Sequence, residues 1–121
     1  MGLTNQNITK WKGDDFEIRF TMQDSQDIET FKALWIMATE VGGTRLIVKT
    51  TPGHFSEEGG ITLTGNRVNI PIDSALTDDA SGIAEGTYYH ELQMEDSLGN
   101  ITMAAVGSIT LIEPEEKRGV V

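Results

Sequence analysis

The chain has 121 residues, no cysteine, and 19 acidic against 9 basic residues, for a formal net charge of −10 at pH 7. That length predicts one domain with one core, burying about two-thirds of the surface the unfolded chain exposes. The lack of cysteine excludes disulfide staples and thiolate metal sites, and the acidic balance argues against duplex nucleic acid as a partner, because such binding depends on cations displacing counterions from phosphates. The acids are dispersed along the chain, which reads as a soluble surface that resists self-association; complementarity to a basic partner, or imitation of DNA, is the sharper alternative.

Residues 1–7 read as a polar N-terminal arm. Met1-Gly2-Leu3-Thr4-Asn5-Gln6-Asn7 lacks the basic start and apolar run of a secretory leader. Gly2 invites myristoylation, but the sixth residue is Gln6 rather than serine or threonine. No apolar stretch approaches the roughly 20 residues that cross a bilayer as a helix. The expected place of synthesis and folding is a cytosol, with no membrane partner, and the sequons Asn7-Ile8-Thr9 and Asn100-Ile101-Thr102 then read as by-products of threonine-rich strands.

Ile8-Thr9-Lys10-Trp11 reads as a short first strand, and Gly13-Asp14-Asp15 as a turn. In Phe16 to Met22 the residues Phe16, Ile18, Phe20 and Met22 alternate with Glu17, Arg19 and Thr21, as in a strand with one buried and one wet face. Gln23 to Glu29 is a polar link. Phe31 to Thr39 is apolar nearly throughout, which predicts a central strand carrying Trp35 in the core, although Ala33, Leu34, Met37 and Ala38 also suit a helix.

Gly42-Gly43 supplies a turn, Arg45 to Thr50 a strand, and Pro52 to Gly60 a loop. Ile61 to Thr64 and Val68 to Ile72 flank the hairpin connection Gly65-Asn66-Arg67. Pro71 cannot donate to a ladder, so its strand is expected at a sheet edge or broken there. Asp73 to Gly82 is the one helical turn, capped by Ser74 or Thr77, favoured at its N-terminal end by Asp78-Asp79 and stopped by Gly82. Gly86 to Glu95 places Tyr88, His90, Leu92 and Met94 on one face and Thr87, Tyr89, Glu91, Gln93 and Glu95 on the other. Asp96 to Asn100 is a turn cluster, and Ile101 to Ile112 a final strand. Residues 115–121 read as a polar tail. The whole predicts an all-β antiparallel sandwich of about seven to nine strands over residues 8–114.

Reactive chemistry finds little purchase. No serine sits in a Gly-x-Ser-x-Gly turn. The two histidines, His54 and His90, are not spaced as zinc ligands. His90 reads as a structural, partly buried residue and His54 as solvated. Asp78-Asp79, Glu57-Glu58 and Glu95-Asp96 lack calcium-loop spacing and read as surface acids. Spacing singles out no carboxylate pair for glycosidic chemistry, since acids on different strands can meet. Gly42-Gly43 and Gly59-Gly60 do not open a phosphate-binding loop. Trp11, beside Lys10 and Lys12, is the more exposed of the two tryptophans, either packing the end of the sandwich or anchoring a partner. No catalytic residue, cofactor or metal ligand is expected.

Three segments in this order carry a family likeness: Trp11-Lys12-Gly13-Asp14-Asp15-Phe16, then Gly59-Gly60-Ile61-Thr62-Leu63 with the polar stretch Ala75 to Gly82, then Gly86-Thr87-Tyr88-Tyr89-His90-Glu91-Leu92-Gln93-Met94-Glu95-Asp96 with its Gly-Asn turn and closing strand. Over residues 8 to 114 the chain resembles the immunoglobulin-like domains at the N-termini of tailed-phage baseplate upper proteins and related tail-fibre proteins. The resemblance implies a non-enzymatic virion structural module, multicopy or homo-oligomeric, whose partners are other virion proteins, assembled in a bacterial cytoplasm. Baseplate upper proteins usually continue into a helical stalk, whereas this sequence stops just after the sandwich. A capsid decoration protein is therefore the alternative, and a carbohydrate-binding β-sandwich or an inhibitor of a basic host protein are more distant ones. Leu3, Ile8 and Trp11 are the expected partner contacts, in an N-terminal segment that would pair with another subunit's sheet edge.

Overall fold

A computed structural model describes residues 6–22, 27–52, 59–78 and 81–113; Leu3, His54, Glu57, Glu58, Asp79, part of the 23–29 link and the tail 115–121 lie outside the described residues. The described chain is all-β: β1 (Ile8–Trp11), β2 (Phe16–Thr21), β3 (Lys32–Ala38), β4 (Arg45–Thr50), β5 (Thr62–Thr64), β6 (Arg67–Ile72), β7 (Gly86–Glu95) and β8 (Ile101–Ile112), with a 3-10 turn at Ser74–Leu76. They form a five-stranded sheet in the order β1-β8-β7-β3-β4 and a three-stranded sheet in the order β2-β6-β5.

The period-two alternation read from the sequence supplies the interior. Ile18 and Phe20 of β2 and Val68, Ile70 and Ile72 of β6 meet Ala33, Trp35 and Met37 of β3, Leu92 and Met94 of β7, and Ile109 and Leu111 of β8 in one apolar cluster drawn from both sheets. Each such valine, leucine, isoleucine, phenylalanine or methionine side chain, fully buried, contributes about 1.5–3 kcal/mol. β3 lies between β7 and β4, with Trp35 opposite Leu92 and Lys49. Its alternate residues Leu34, Ile36 and Ala38 are buried too. Burial on both faces is why its sequence runs apolar without alternation.

β7 and β8 pair along their whole lengths, with a register shift at Leu92/Gln93. Leu92 lies opposite Ala105 and Gln93 opposite Met103, so Ala104 is the extra residue of a bulge. Ala104 and Ala105 are both buried, which breaks the alternation of β8 at that point. Small side chains let two consecutive residues turn inward.

The structure departs from the sequence reading in three places. The sheets are not purely antiparallel: β1 runs parallel to β8, with Ile8 opposite Ile109 and Trp11 opposite Ile112. Strand polarity depends on how far the chain travels before it returns, and no local pattern encodes that. Secondly, Pro71 lies in β6, the middle strand of its sheet. It is tolerated because β5 reaches only as far as Asn69, so beside Pro71 the strand has β2 on one flank, through Glu17, and, among the described residues, no strand on the other. Thirdly, the helical turn is shorter than expected and differently capped. Asp73 occupies its N-cap position without a side-chain cap, and Thr77 closes its C-terminal end. The Thr77 hydroxyl instead accepts from the Gly13 N–H at 2.9 Å, and Asp78 lies beyond the turn, accepting from the Ser81 N–H at 3.2 Å. A long-range partner has taken the side chain that local rules would use as a cap.

Candidate functional site

The N-terminal strand is docked before β1 begins. The Gln6 N–H donates to the Val106 carbonyl at 3.0 Å. The Asn7 side-chain carbonyl accepts from the Ser108 N–H at 3.0 Å and lies 3.1 Å from the Ser108 hydroxyl. Gly107 makes this approach feasible: a Cβ built there would collide with the Gln6 carbonyl. At the other end of β1, the Lys12 N–H donates to the Ile112 carbonyl at 2.9 Å, and the buried Lys12 ammonium lies 3.2 Å from the Glu113 carboxylate. Residues 6–12 thus form a strap along the edge of β8.

Of the expected partner contacts, Ile8 is half-buried and packs against the core, whereas Trp11 is 50% exposed. Parity puts them on opposite faces of the sheet, with Ile8 turned toward the core and Trp11 away from it. Leu3 lies outside the described residues. Lys10, between them, holds its ammonium over the Phe16 ring, 5.4 Å from the centroid.

A second exposed apolar group, not foreseen as a partner contact, sits at the β7–β8 hairpin. Leu98 is 86% exposed, Ile101 65% and Met103 41%. The turn that carries Leu98 is held by one carboxylate: Asp96 accepts from the backbone N–H groups of Leu98 and Asn100, both at 2.9 Å, and from the Asn100 side-chain amide at 3.0 Å. Bonds from Asn100, first its backbone and then its side chain, keep the Asp96 carboxyl below its ordinary 3.8. Gly99, with φ +87°, supplies the left-handed residue that closes the loop. The tip is therefore a preorganised knob with leucine at its apex. The turn cluster was legible as a turn; the exposure of Leu98 was a tertiary matter.

Beside the tip, the outward face of β7 carries an internally bonded polar row. The Tyr89 hydroxyl donates to Glu91 at 2.8 Å and the Gln93 amide donates to the same carboxylate at 2.9 Å. Burial, reinforced by the Glu91 bond and charge, pushes the Tyr89 phenol up to about 12. Where β5 stops short, a shallow groove of about 480 Å³ opens, lined by Asp15, Phe16, Lys49, Pro71, Ile72 and Asp73. Among the described residues no group of three His, Asp or Glu side chains is arranged to hold a metal ion.

His90 is fully buried. Its Nδ1 accepts from the Trp35 indole N–H at 3.1 Å, and its Nε2 lies 2.6 Å from the Gln6 carbonyl oxygen. The Phe20 ring stacks near it, with centroids 6.0 Å apart. No protein-family model matches the chain, and no curated protein matches it either.

Proposed function

We propose that this chain is a non-enzymatic immunoglobulin-like module of a phage virion, which docks on neighbouring subunits in the tail, baseplate or fibre attachment region. The observation that carries the immunoglobulin-like reading is the strand order. The sheets β8-β7-β3-β4 and β2-β6-β5 match the G-F-C-C′ and B-E-D sheets of such domains. Two local features support it. The Tyr88 hydroxyl, near the start of β7, donates to the Ala84 carbonyl, in the manner of the tyrosine corner. Trp35 packs against His90, two residues after Tyr88, with Phe20 on the facing sheet. On this reading Phe20 and His90 correspond to the two cysteines that flank the tryptophan of an antibody domain, with aromatic packing in place of their disulfide.

The docking role rests on surface character. Trp11 and the hairpin residues Leu98, Ile101 and Met103 expose apolar area on an otherwise strongly acidic molecule. Interfaces are enriched in aromatic and methionine side chains, and their cores are more apolar than the rest of the surface. Quantitative mass spectrometry of purified particles, from the phage whose genome encodes this chain, tests the reading. Tail-scale copy number supports it, and capsid-scale copy number replaces it with a decoration role. Absence from particles removes both.

A further inference from the structure

We propose that the N-terminal strap is an acid-released latch: protonation of His90 detaches Gln6 from the core and peels the strap away from β8, hinging at Lys12. The device is independent of where in a particle, or whether in a particle, the protein works.

The geometry fixes one tautomer. Trp35 has only an N–H to offer, so His90 Nδ1, 3.1 Å from the indole nitrogen, must be the bare acceptor. The ring proton therefore sits on Nε2, where it donates to the Gln6 carbonyl oxygen 2.6 Å away. A second proton has only Nδ1 to occupy. There it would face the indole N–H, turning an attractive contact into two opposed donors.

Among the described residues no carboxylate is paired with the imidazole, and the one group bonded to it that favours the new charge is the neutral Gln6 carbonyl, whose effect burial outweighs. Around the imidazole lie Trp35 of β3, Phe20 of β2, the Gln6 main chain and, across the two strand pairings of His90, Met37 and Gly107. Charged side chains on these elements are directed elsewhere. Glu17 and Arg19 of β2 pair with each other on the exposed face, Lys32 of β3 lies near Glu95 at the far end, Glu91 of β7 is bonded to Tyr89 and Gln93, Lys10 of β1 sits over Phe16, and Lys49 of β4 lines the groove beside Pro71. Burial accordingly holds the imidazole below its ordinary 6.5, against the opposing effect of the Gln6 bond.

An imidazolium in this site gains hydration only by displacing what covers it. Trp35, Phe20 and Gly107 belong to the body of the two sheets. The Gln6 segment is the cover that can leave, because its attachment is a short run at a sheet edge. Its departure exposes the edge of β8 around Val106 to Ile109, a row of backbone groups that accepts an added strand from another chain.

Because the folded group titrates below the free one, stability of the closed strap is complete above pH 6.5 and declines as the pH falls from there toward the folded value. In that window one proton is taken up per opening, so the open population rises up to tenfold per pH unit. Amide hydrogen exchange, corrected for intrinsic rates, between pH 7.5 and 4.5 reads this directly. The expected result is a tenfold loss of protection per pH unit at Gln6 and in β1 over part of that range, with β3 and β7 unchanged, and a flat profile in His90→Gln. Nitrogen chemical shifts of the His90 ring at pH 7.5 should report the Nε2–H tautomer. Unchanged strap protection down to pH 4.5, loss in step with β3 and β7, the Nδ1–H tautomer, or the same slope in His90→Gln would each overturn the latch. Should His90→Gln fail to fold, the contrast between strap and β3 in the wild-type chain decides alone.

Discussion

Two seams of the five-stranded sheet are built from different physics. The β3–β7 seam pairs seven residues antiparallel, from Lys32 opposite Glu95 to Ala38 opposite Tyr89, and Ala33, Trp35, Met37 and Leu92 along it are fully buried. The β1–β8 seam pairs four residues in parallel and depends at its ends on polar clasps: His90 to Gln6, Asn7 to Ser108, and Lys12 to Glu113. Apolar burial has no titratable component and little directional demand. A polar clasp is conditional on protonation state and on a close fit. Unequal seams give one small domain a permanent body and a separable edge.

The contrast is broken most severely from the body side. Trp35→Ala should cost about 3–5 kcal/mol, since it leaves a cavity and strips His90 of its indole donor. Leu92→Ala should cost about 2–5 kcal/mol. Urea unfolding monitored by circular dichroism measures both, and losses under 1 kcal/mol would contradict the two-sheet core.

Gly107→Ala attacks the edge. Its new methyl would collide with the Gln6 main chain, at an expected cost of about 1–3 kcal/mol. Protection should fall at Gln6 and β1 and persist in β3 and β7; uniform loss across all strands would erase the distinction between the seams. Glu113→Ala removes the carboxylate beside a buried ammonium and should cost about 1–2 kcal/mol, with fraying concentrated at Lys12. An unchanged midpoint would show that the hinge lies elsewhere.

The hairpin tip provides a third, weaker contrast. Its order around Asp96 should be complete above pH 3.8 and fade as the pH falls through the lowered folded value of that carboxyl. Amide shifts of Leu98 and Asn100 should follow that titration, while those of β3 do not. The smallest effect belongs to Leu98→Ser, which should alter stability by less than about 0.5 kcal/mol because the side chain faces solvent. If the tip docks on a neighbouring subunit, the same change lowers incorporation into particles, and full incorporation would remove Leu98 from the interface.

Much of the body was legible in advance. β1 and β4 lie where the composition of Ile8 to Trp11 and Arg45 to Thr50 put them. The inward sets Ile18 and Phe20, and His90, Leu92 and Met94, follow from alternation. The candidate site was less accessible. Trp11 stood out as an exposed aromatic, but the chain alone does not reveal that Ile8 faces inward against the core or that Leu98 stands clear of it. The stretch Asp96 to Asn100 announces a turn without saying what surrounds it.

The division has a physical basis. Strand location, the choice of inward face and the sites of turns are set by neighbours within a few residues, so the sequence by itself determined them. Three features required the assembled molecule: the parallel run of β1 on β8, the shelter that Pro71 finds where β5 ends, and the bonds joining His90 to Trp35 and Gln6. The first and third bring together residues tens of positions apart, and the second depends on where a neighbouring strand ends; all are decided by how the strands assemble.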